Sequence, residues 1–286
     1  MSASEEARDR PGERVAATVH VDASPFDLRP APEIETGAAA LCLHGLTGTP
    51  WEVRSIAEAL VARGIRAYGP HVAGHEGGIH QLARTTRQVW LEQAGADLAA
   101  LEREHDRVFL VGVSLGGLLS LRLAQTREVA GMVVVGVPLV LRAPIPQLLP
   151  LVSRWMPFRR KRGSDIRDPE AGARHPGLPA MPLAAVVELI ALQGDVIPHL
   201  GRIRAPALVA HGRFDRTAHP RDAVRLHGAL ASDPKALLML ERSGHVATVD
   251  HDGPALARAA ADFLDGRGPD GSTAPGQGPG GSRAKE

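Results

Sequence analysis

Cysteine is nearly absent. Cys42 is the single one in 286 residues, which excludes a disulfide framework and any cysteine-clustered zinc or iron–sulfur site. An excess of charge of one sign is missing too. Lys and Arg number 33 against 32 Asp and Glu, a formal charge of +1. That balance argues against a surface built for nucleic acid or for an anionic membrane. Long apolar runs are also lacking. The longest, 129–141, has 13 residues and is broken by Gly131, Gly136 and Pro138, whereas a membrane-spanning helix needs about 20. The first 14 residues mix acids and bases without an apolar stretch. They do not read as a secretory signal, so the cytoplasm is the expected location.

What is present is 44% hydrophobic and 23% charged residues, ordinary for a globular domain. Residues 1–14 and the Gly/Pro-rich 267–286 are expected to be disordered tails, because such segments cannot bury enough apolar surface to offset their ordering entropy. Between them, 15–266 alternates short apolar runs with longer amphipathic stretches. Strands are predicted at 38–43, 65–68, 107–111, 131–137, 207–210 and 236–240. Helices are predicted at 51–63, 86–104, 115–125, 221–231 and 254–264. In the second helix Val89, Trp90, Ala94, Leu98 and Leu101 are expected to face inward. Apolar strands alternating with helices imply an α/β fold, a mostly parallel central sheet covered by helices on both faces.

The alternation stops between 138 and 201. This stretch is dense in proline and contains two apolar helical segments, 145–155 and 182–192. It is too long for an ordinary loop and too apolar for a solvated linker. It reads as a small helical cap inserted over one end of the sheet.

The strongest local signal is Gly112-Val-Ser114-Leu-Gly116-Gly117, between a predicted strand and a predicted helix. The five-residue pattern is weak by itself, and its context makes it specific. A turn this tight strains its middle residue, and the flanking glycines remove side chains that would collide. The Ser114 hydroxyl is left exposed at a helix N-terminus. A serine needs a base. His245, in Ser243-Gly-His245 after the strand 236–240, stands at the same sheet edge; His251 is the rival. The base needs an orienting carboxylate. Asp215 follows the strand 207–210, while Asp222 is placed to cap the next helix. A developing oxyanion needs donors, and the backbone N–H groups of Leu115 and Leu46 are the candidates. The second lies in His44-Gly45-Leu46-Thr-Gly48, after the first buried strand. A plain turn is the alternative there, since His-Gly recurs at 211–212.

Other features read as bland. His71 and His75 are four apart but sit among Gly69, Gly74, Gly77 and Gly78, so they form no helical metal face. They fit the mouth of a pocket, and no metal or cofactor is expected. The run Arg159-Arg-Lys-Arg162 reads as a solvated loop, with an interfacial role beside Trp155, Met156 and Phe158 as the alternative. Cys42 reads as an inert core residue.

From about Ala38 to Leu264 the chain resembles the α/β-hydrolase superfamily. Within it, the chain is similar to the small bacterial carboxylesterases and monoacylglycerol lipases. The segments that carry the likeness are LCLHGLTG (41–48), AGHEGG (73–78), GVSLGG (112–117), IRAPALVAHGRFD (203–215) and SGHVATVD (243–250). The order Ser114, Asp215, His245 is that of an α/β-hydrolase triad. The likeness implies Leu46 and Leu115 as oxyanion donors and an apolar acyl tunnel under the cap. Substrate contacts are expected from His44, Gly45, His75, Ile145, Leu149, Val187 and Ile190. The expected activity is hydrolysis of esters with one aliphatic acyl chain. Acyl transfer, peptide cleavage, C–C hydrolysis and perhydrolysis use the same triad, and a non-catalytic binding protein is the third reading. The expected partner is a small ester or monoacylglycerol. Nucleic acid and stable membrane insertion are not expected, and the state is monomer or homodimer.

Overall fold

The computed structural model describes residues 21–140, 149–161 and 163–266. The predicted tails 1–14 and 267–286, and Ile145, lie outside them. Among the described residues, seven strands form one sheet in the order β1 (Phe26–Leu28), β3 (Arg66–Gly69), β2 (Ala38–Leu43), β4 (Arg107–Val113), β5 (Gly131–Val135), β8 (Ala207–Gly212), β9 (Lys235–Leu240). β1 runs antiparallel to β3, and every other neighbouring pair is parallel.

Alternate side chains of each strand enter opposite layers, as the pleat requires. Ala39, Leu41 and Leu43 of β2 join one core with Trp90, Ala94 and Leu98 of α3 (Arg87–Glu104) and Leu118 of α4 (Leu115–Ala124). Ala38, Ala40 and Cys42 join the other, with Ile56 and Leu60 of α1 (Trp51–Val61) and Leu256 and Ala260 of α9 (Gly253–Leu264). α4 is apolar nearly all round and is accordingly buried. α1 stops where Gly64 takes φ 78, and a Cβ there would lie 1.8 Å from the Ile34 carbonyl. The remaining helices outside the insertion are α2 (Gly78–Leu82) and α8 (Arg221–Ala229).

Two expectations need correction. Val89 does not face inward: it is 44% exposed. The buried stripe of α3 runs Trp90, Ala94, Leu98, Leu101, and Val89 lies one residue, about 100°, off it. The insertion between β5 and β8 is not purely helical. It contains α5 (Leu149–Trp155), α6 (Pro169–Arg174) and α7 (Leu183–Val196), and also an antiparallel pair, β6 (Phe158–Arg160) with β7 (Ala180–Pro182). β1 and α2 were not predicted from sequence, being too short to show a period. α7 continues as a 3-10 turn, Ile197–Arg202, and together they are long and apolar enough to cross a membrane. Ala185, Leu189, Leu192, Val196 and Leu200 of this segment are instead buried in the core beside α4.

Candidate active site

β4 ends at Val113 and α4 starts at Leu115, so the turn between them is Ser114 alone. Its backbone sits at φ 52, ψ −109, a region that costs a non-glycine residue on the order of 1–3 kcal/mol. The neighbourhood over-determines it. Ser114 N–H donates to the Val135 carbonyl at 2.8 Å, and the Ser114 carbonyl accepts Leu118 N–H at 3.1 Å. Close approach explains the glycines: a Cβ on Gly112 would lie 2.3 Å from the Gly116 carbonyl, and one on Gly116 would lie 2.0 Å from that of Leu43.

The C-terminal ends of the adjacent parallel strands collect the other groups, as open α/β sheets do. His245 follows β9, and its Nε2 lies 3.0 Å from Ser114 Oγ. Its Nδ1 lies 2.7 Å from Asp215 Oδ2, just past β8. A carboxylate can only accept, so Nδ1 carries the proton and Nε2 faces the serine hydroxyl. Asp215 Oδ1 accepts Thr217 N–H at 2.8 Å and Ala218 N–H at 2.7 Å. Burial works against the charged form of each partner, yet their mutual charge and hydrogen bond prevail: Asp215 is lowered and His245 raised. Sequence reasoning missed His211. Its Nε2 stands 2.9 Å from Asp215 Oδ2, although its N–H does not point along the contact. The rival His251 places its Nδ1 3.9 Å from Asp168. Asp222 does not cap α8, whose N-cap is Pro220; its Oδ2 accepts the N–H groups of Leu139 and Val140 at 3.0 and 3.2 Å.

Backbone donors can be followed one by one around the loop after β2. Gly45 N–H donates to Glu52 Oε2 at 2.8 Å, Thr47 N–H to His75 Nε2 at 3.1 Å, and Gly48 N–H to the Gly45 carbonyl at 3.0 Å. The Leu46 N–H has no acceptor among the described residues, and neither does that of Leu115, at the first position of α4. Gly45 meets the serine directly: a Cβ on it would lie 3.4 Å from Ser114 Cβ. His44 Nδ1 bonds the Gly45 carbonyl at 2.9 Å, while Nε2 accepts Val72 N–H at 3.0 Å. A trans peptide points its C=O and N–H in opposite directions, so holding the Gly45 carbonyl aims the Leu46 N–H away from His44. His75 was expected at a pocket mouth, and both His44 and His75 among the substrate contacts. They are instead buried with both ring nitrogens bonded to this loop and its neighbour.

The model of the serine aminopeptidase S33 family matches residues 35–252. The chain belongs to that family. Among its relatives, a thermostable monoacylglycerol lipase of Bacillus sp. (strain H-257) is 28% identical over 246 residues, 85% of this chain and 94% of the relative. A carboxylesterase of Bacillus subtilis (strain 168) is 27% identical over 229 residues, 79% of this chain and 92% of the relative. A solved structure from the work on the metagenome-derived lipolytic enzymes LipS and LipT is 27% identical with a TM-score of 0.78, covering 85% of this chain and 97% of its own. The monoacylglycerol lipase of Paleococcus ferrophilus, at 20% identity and a TM-score of 0.69, shares the fold over 85% of this chain and 98% of its own.

In this S33 hydrolase the insertion is tied to the loops that carry His245 and Asp215 by two acids, Asp165 and Asp250. The Asp165 carbonyl accepts His245 N–H at 2.8 Å, and its carboxylate accepts Arg216 N–H at 2.7 Å. Asp250 accepts four backbone N–H groups at 2.8 Å, from Arg167, Asp168, Gly244 and His251. Of the expected acyl contacts, Leu149 of α5 and Val187 and Ile190 of α7 are half-buried on packed cap helices. The Cys42 thiol is buried and pushed up to about 12 by desolvation, so it stays protonated and inert.

Proposed function

We propose that this protein hydrolyses carboxylic esters with a single aliphatic acyl chain, as a carboxylesterase or monoacylglycerol lipase, through an acyl-enzyme on Ser114. The observation that carries the reading is the continuous chain Ser114 Oγ, His245, Asp215, at 3.0 and 2.7 Å, beside two backbone N–H groups with no acceptor among the described residues. His245 takes the Ser114 proton as Oγ attacks the ester carbonyl. The oxygen that becomes negative is held by the Leu46 and Leu115 N–H groups, the latter at a helix N-terminus where negative charge is favoured. His245 then passes its proton to the departing alcohol. Water repeats the sequence and frees the acid. No metal or cofactor enters any step.

The apolar faces of α5 and α7 suit an aliphatic acyl group, with Leu149, Val187 and Ile190 as its contacts. The burial of α7 in the core favours an enzyme without stable membrane insertion. A formal charge of +1 favours neither nucleic acid nor an anionic membrane as a partner, and we place the protein in the cytoplasm as a monomer or homodimer. The family's own description favours a second reading, removal of N-terminal amino acids by the same triad.

One assay separates them. Pure protein is labelled with a fluorophosphonate. It is then given p-nitrophenyl esters from acetate to palmitate, monoolein, diolein and triolein, and amino-acid p-nitroanilides. Labelling at Ser114 with turnover of monoesters and monoolein is expected. Turnover confined to the anilides would overturn the ester reading in favour of peptide cleavage.

A further inference from the structure

Glu52 is an acid that the triad does not use, yet it is buried to 3% exposure directly beneath the loop 45–48. It stands at the second position of α1. Its Oε2 accepts Gly45 N–H at 2.8 Å, and its Oε1 meets His175 Nε2 at 2.9 Å. The side chain fills the hollow of the turn: a Cβ on Gly48 would lie 2.3 to 2.4 Å from its carboxylate atoms. A carboxylate out of water is costly unless it is paired and hydrogen-bonded. Burial acts to protonate it, but the His175 contact, the nearby His44 and the Gly45 N–H pull it to about 2, so it is ionised.

His175 comes from the insertion, just after α6. Its Nδ1 lies 2.7 Å from Ser164 Oγ, and its ring stands edge-on to Trp51 at 5.7 Å. Two more bonds join the same loop to the insertion. Lys161 Nζ donates to Thr47 Oγ1 at 3.0 Å, and Leu178 N–H donates to the Thr47 carbonyl at 2.8 Å. Thr47 itself is held at φ 63. Each peptide of the turn therefore has its own clamp: Glu52 on Gly45 N–H, His44 on the Gly45 carbonyl, His75 on Thr47 N–H. One of those clamps, Glu52, is gripped in turn by the cap.

We propose that Glu52 and His175 are positioning residues for the oxyanion hole. Glu52 occupies the Gly45 N–H and so aims the Leu46 N–H at the reacting oxygen, and His175 makes that aim depend on the seating of the cap. The proposal rests on the ester-hydrolase reading above. Neither residue touches substrate; both act through the His44–Gly45 peptide, which sets the direction in which the next peptide presents the Leu46 N–H. Their effect belongs to the transition state, since only there does the oxygen carry full negative charge.

The test uses the full chain as wild type, Glu52→Gln, Glu52→Ala and His175→Ala. The readouts are kcat and KM on p-nitrophenyl butyrate, the inhibition constant of phenylboronic acid, fluorophosphonate labelling and the thermal midpoint. Phenylboronic acid forms a tetrahedral adduct with a serine and so reports on the hole. Gln keeps an oxygen for Gly45 N–H and an amide for the His175 ring, so Glu52→Gln should stay within about 3-fold of wild type if geometry rather than charge is at stake. Glu52→Ala should lower kcat about 10²-fold with KM little changed, and weaken the boronate by a similar factor, the scale of losing one oxyanion donor. His175→Ala breaks only the Oε1 contact and should lower kcat about 10-fold with the same split. Should Glu52→Ala fail to fold, Glu52→Gln and His175→Ala decide by the same criteria. A folded His175→Ala with wild-type kcat and boronate affinity overturns the proposal, as does an effect on KM alone. A wild type that neither labels at Ser114 nor turns over the ester overturns the ester reading and this proposal together. A wild-type-like Glu52→Ala or His175→Ala in an active enzyme overturns this proposal alone.

Discussion

The backbone carbonyl of Asp165 accepts the N–H of His245 at 2.8 Å, while the Asp165 carboxylate accepts the N–H of Arg216 at 2.7 Å. A single residue of the insertion thus holds the loop of the base and the loop of the acid at once. The fit is tight, for a Cβ on Gly244 would lie 2.7 Å from that carbonyl. The insertion is in this respect bonded to both loops at once.

Asp165→Ala keeps the carbonyl and removes the carboxylate. It should lower kcat/KM about 10-fold and cost about 1–2 kcal/mol of stability in urea unfolding, the scale of a few partly exposed hydrogen bonds. Asp250→Ala should be worse. It strands four backbone N–H groups at a site 3% exposed, and a loss of 3 kcal/mol or more is expected. Equal costs for the two variants would show that the Asp250 cluster does not anchor the cap.

Ser114→Ala should lower kcat by about 10⁴ or more and leave the fold intact. Alanine relieves nothing of the backbone strain at φ 52, so the unfolding midpoint should move little. Turnover near that of wild type would remove Ser114 from the mechanism.

The acid limb of the rate profile should lie above the ordinary histidine value of about 6.5. Burial alone would lower the pKa of His245, but the Asp215 carboxylate beside it raises it. His245 is a base only when neutral, so kcat/KM should rise with pH through that raised value. Its contribution to stability runs the other way. It is complete below the unfolded pKa and is lost as pH rises through the folded one. Asp215→Asn should move the limb downward and cost about 10⁴ in rate. A wild-type limb below pH 6 would contradict the pairing.

Acid should also unfold the protein through His44. Its buried ring is lowered from 6.5 to about 3, first by desolvation and then by the neighbouring His75. The unfolded chain takes up a proton near pH 6.5 that the folded ring refuses. The stability is therefore whole above pH 6.5 and lost as pH falls toward 3, by about 2 kcal/mol at pH 5. Glu52, also lowered, adds its own loss only below the ordinary glutamate value of about 4.5. Urea unfolding at pH 7, 6 and 5 checks this. His44→Gln should flatten the slope, and a flat wild-type profile would show that His44 titrates normally.

Ser114 was legible because a one-residue strand-to-helix turn demands small neighbours, and Gly112 and Gly116 stand on either side of it in the chain. Asp215 and His245 were legible because each follows an apolar strand, and parallel strands bring such residues to one edge. Trp90, Ala94, Leu98 and Leu101 were legible as a stripe; Val89 was misread because a stripe's rim and its centre differ by one residue. Glu52 and Asp165 carry no sequence signal that sets them apart from other acids, and Asp250 stands at the end of a quoted motif without its partners being visible. Nothing local separates a buried carboxylate from an exposed one.

The sequence by itself determined the alternation of strands and helices, the strained serine turn, and the order of serine, acid and base. Each of these follows from steric and periodic rules that act over a few residues. Only the tertiary structure decided which N–H groups are left without an acceptor among the described residues, which acids tie down the insertion, and that His44 and His75 are buried against the loop after β2. Those outcomes depend on hydrogen bonds between groups such as Glu52 and His175, 123 residues apart. Whether a buried polar group finds its partner is settled only when the distant segments pack together.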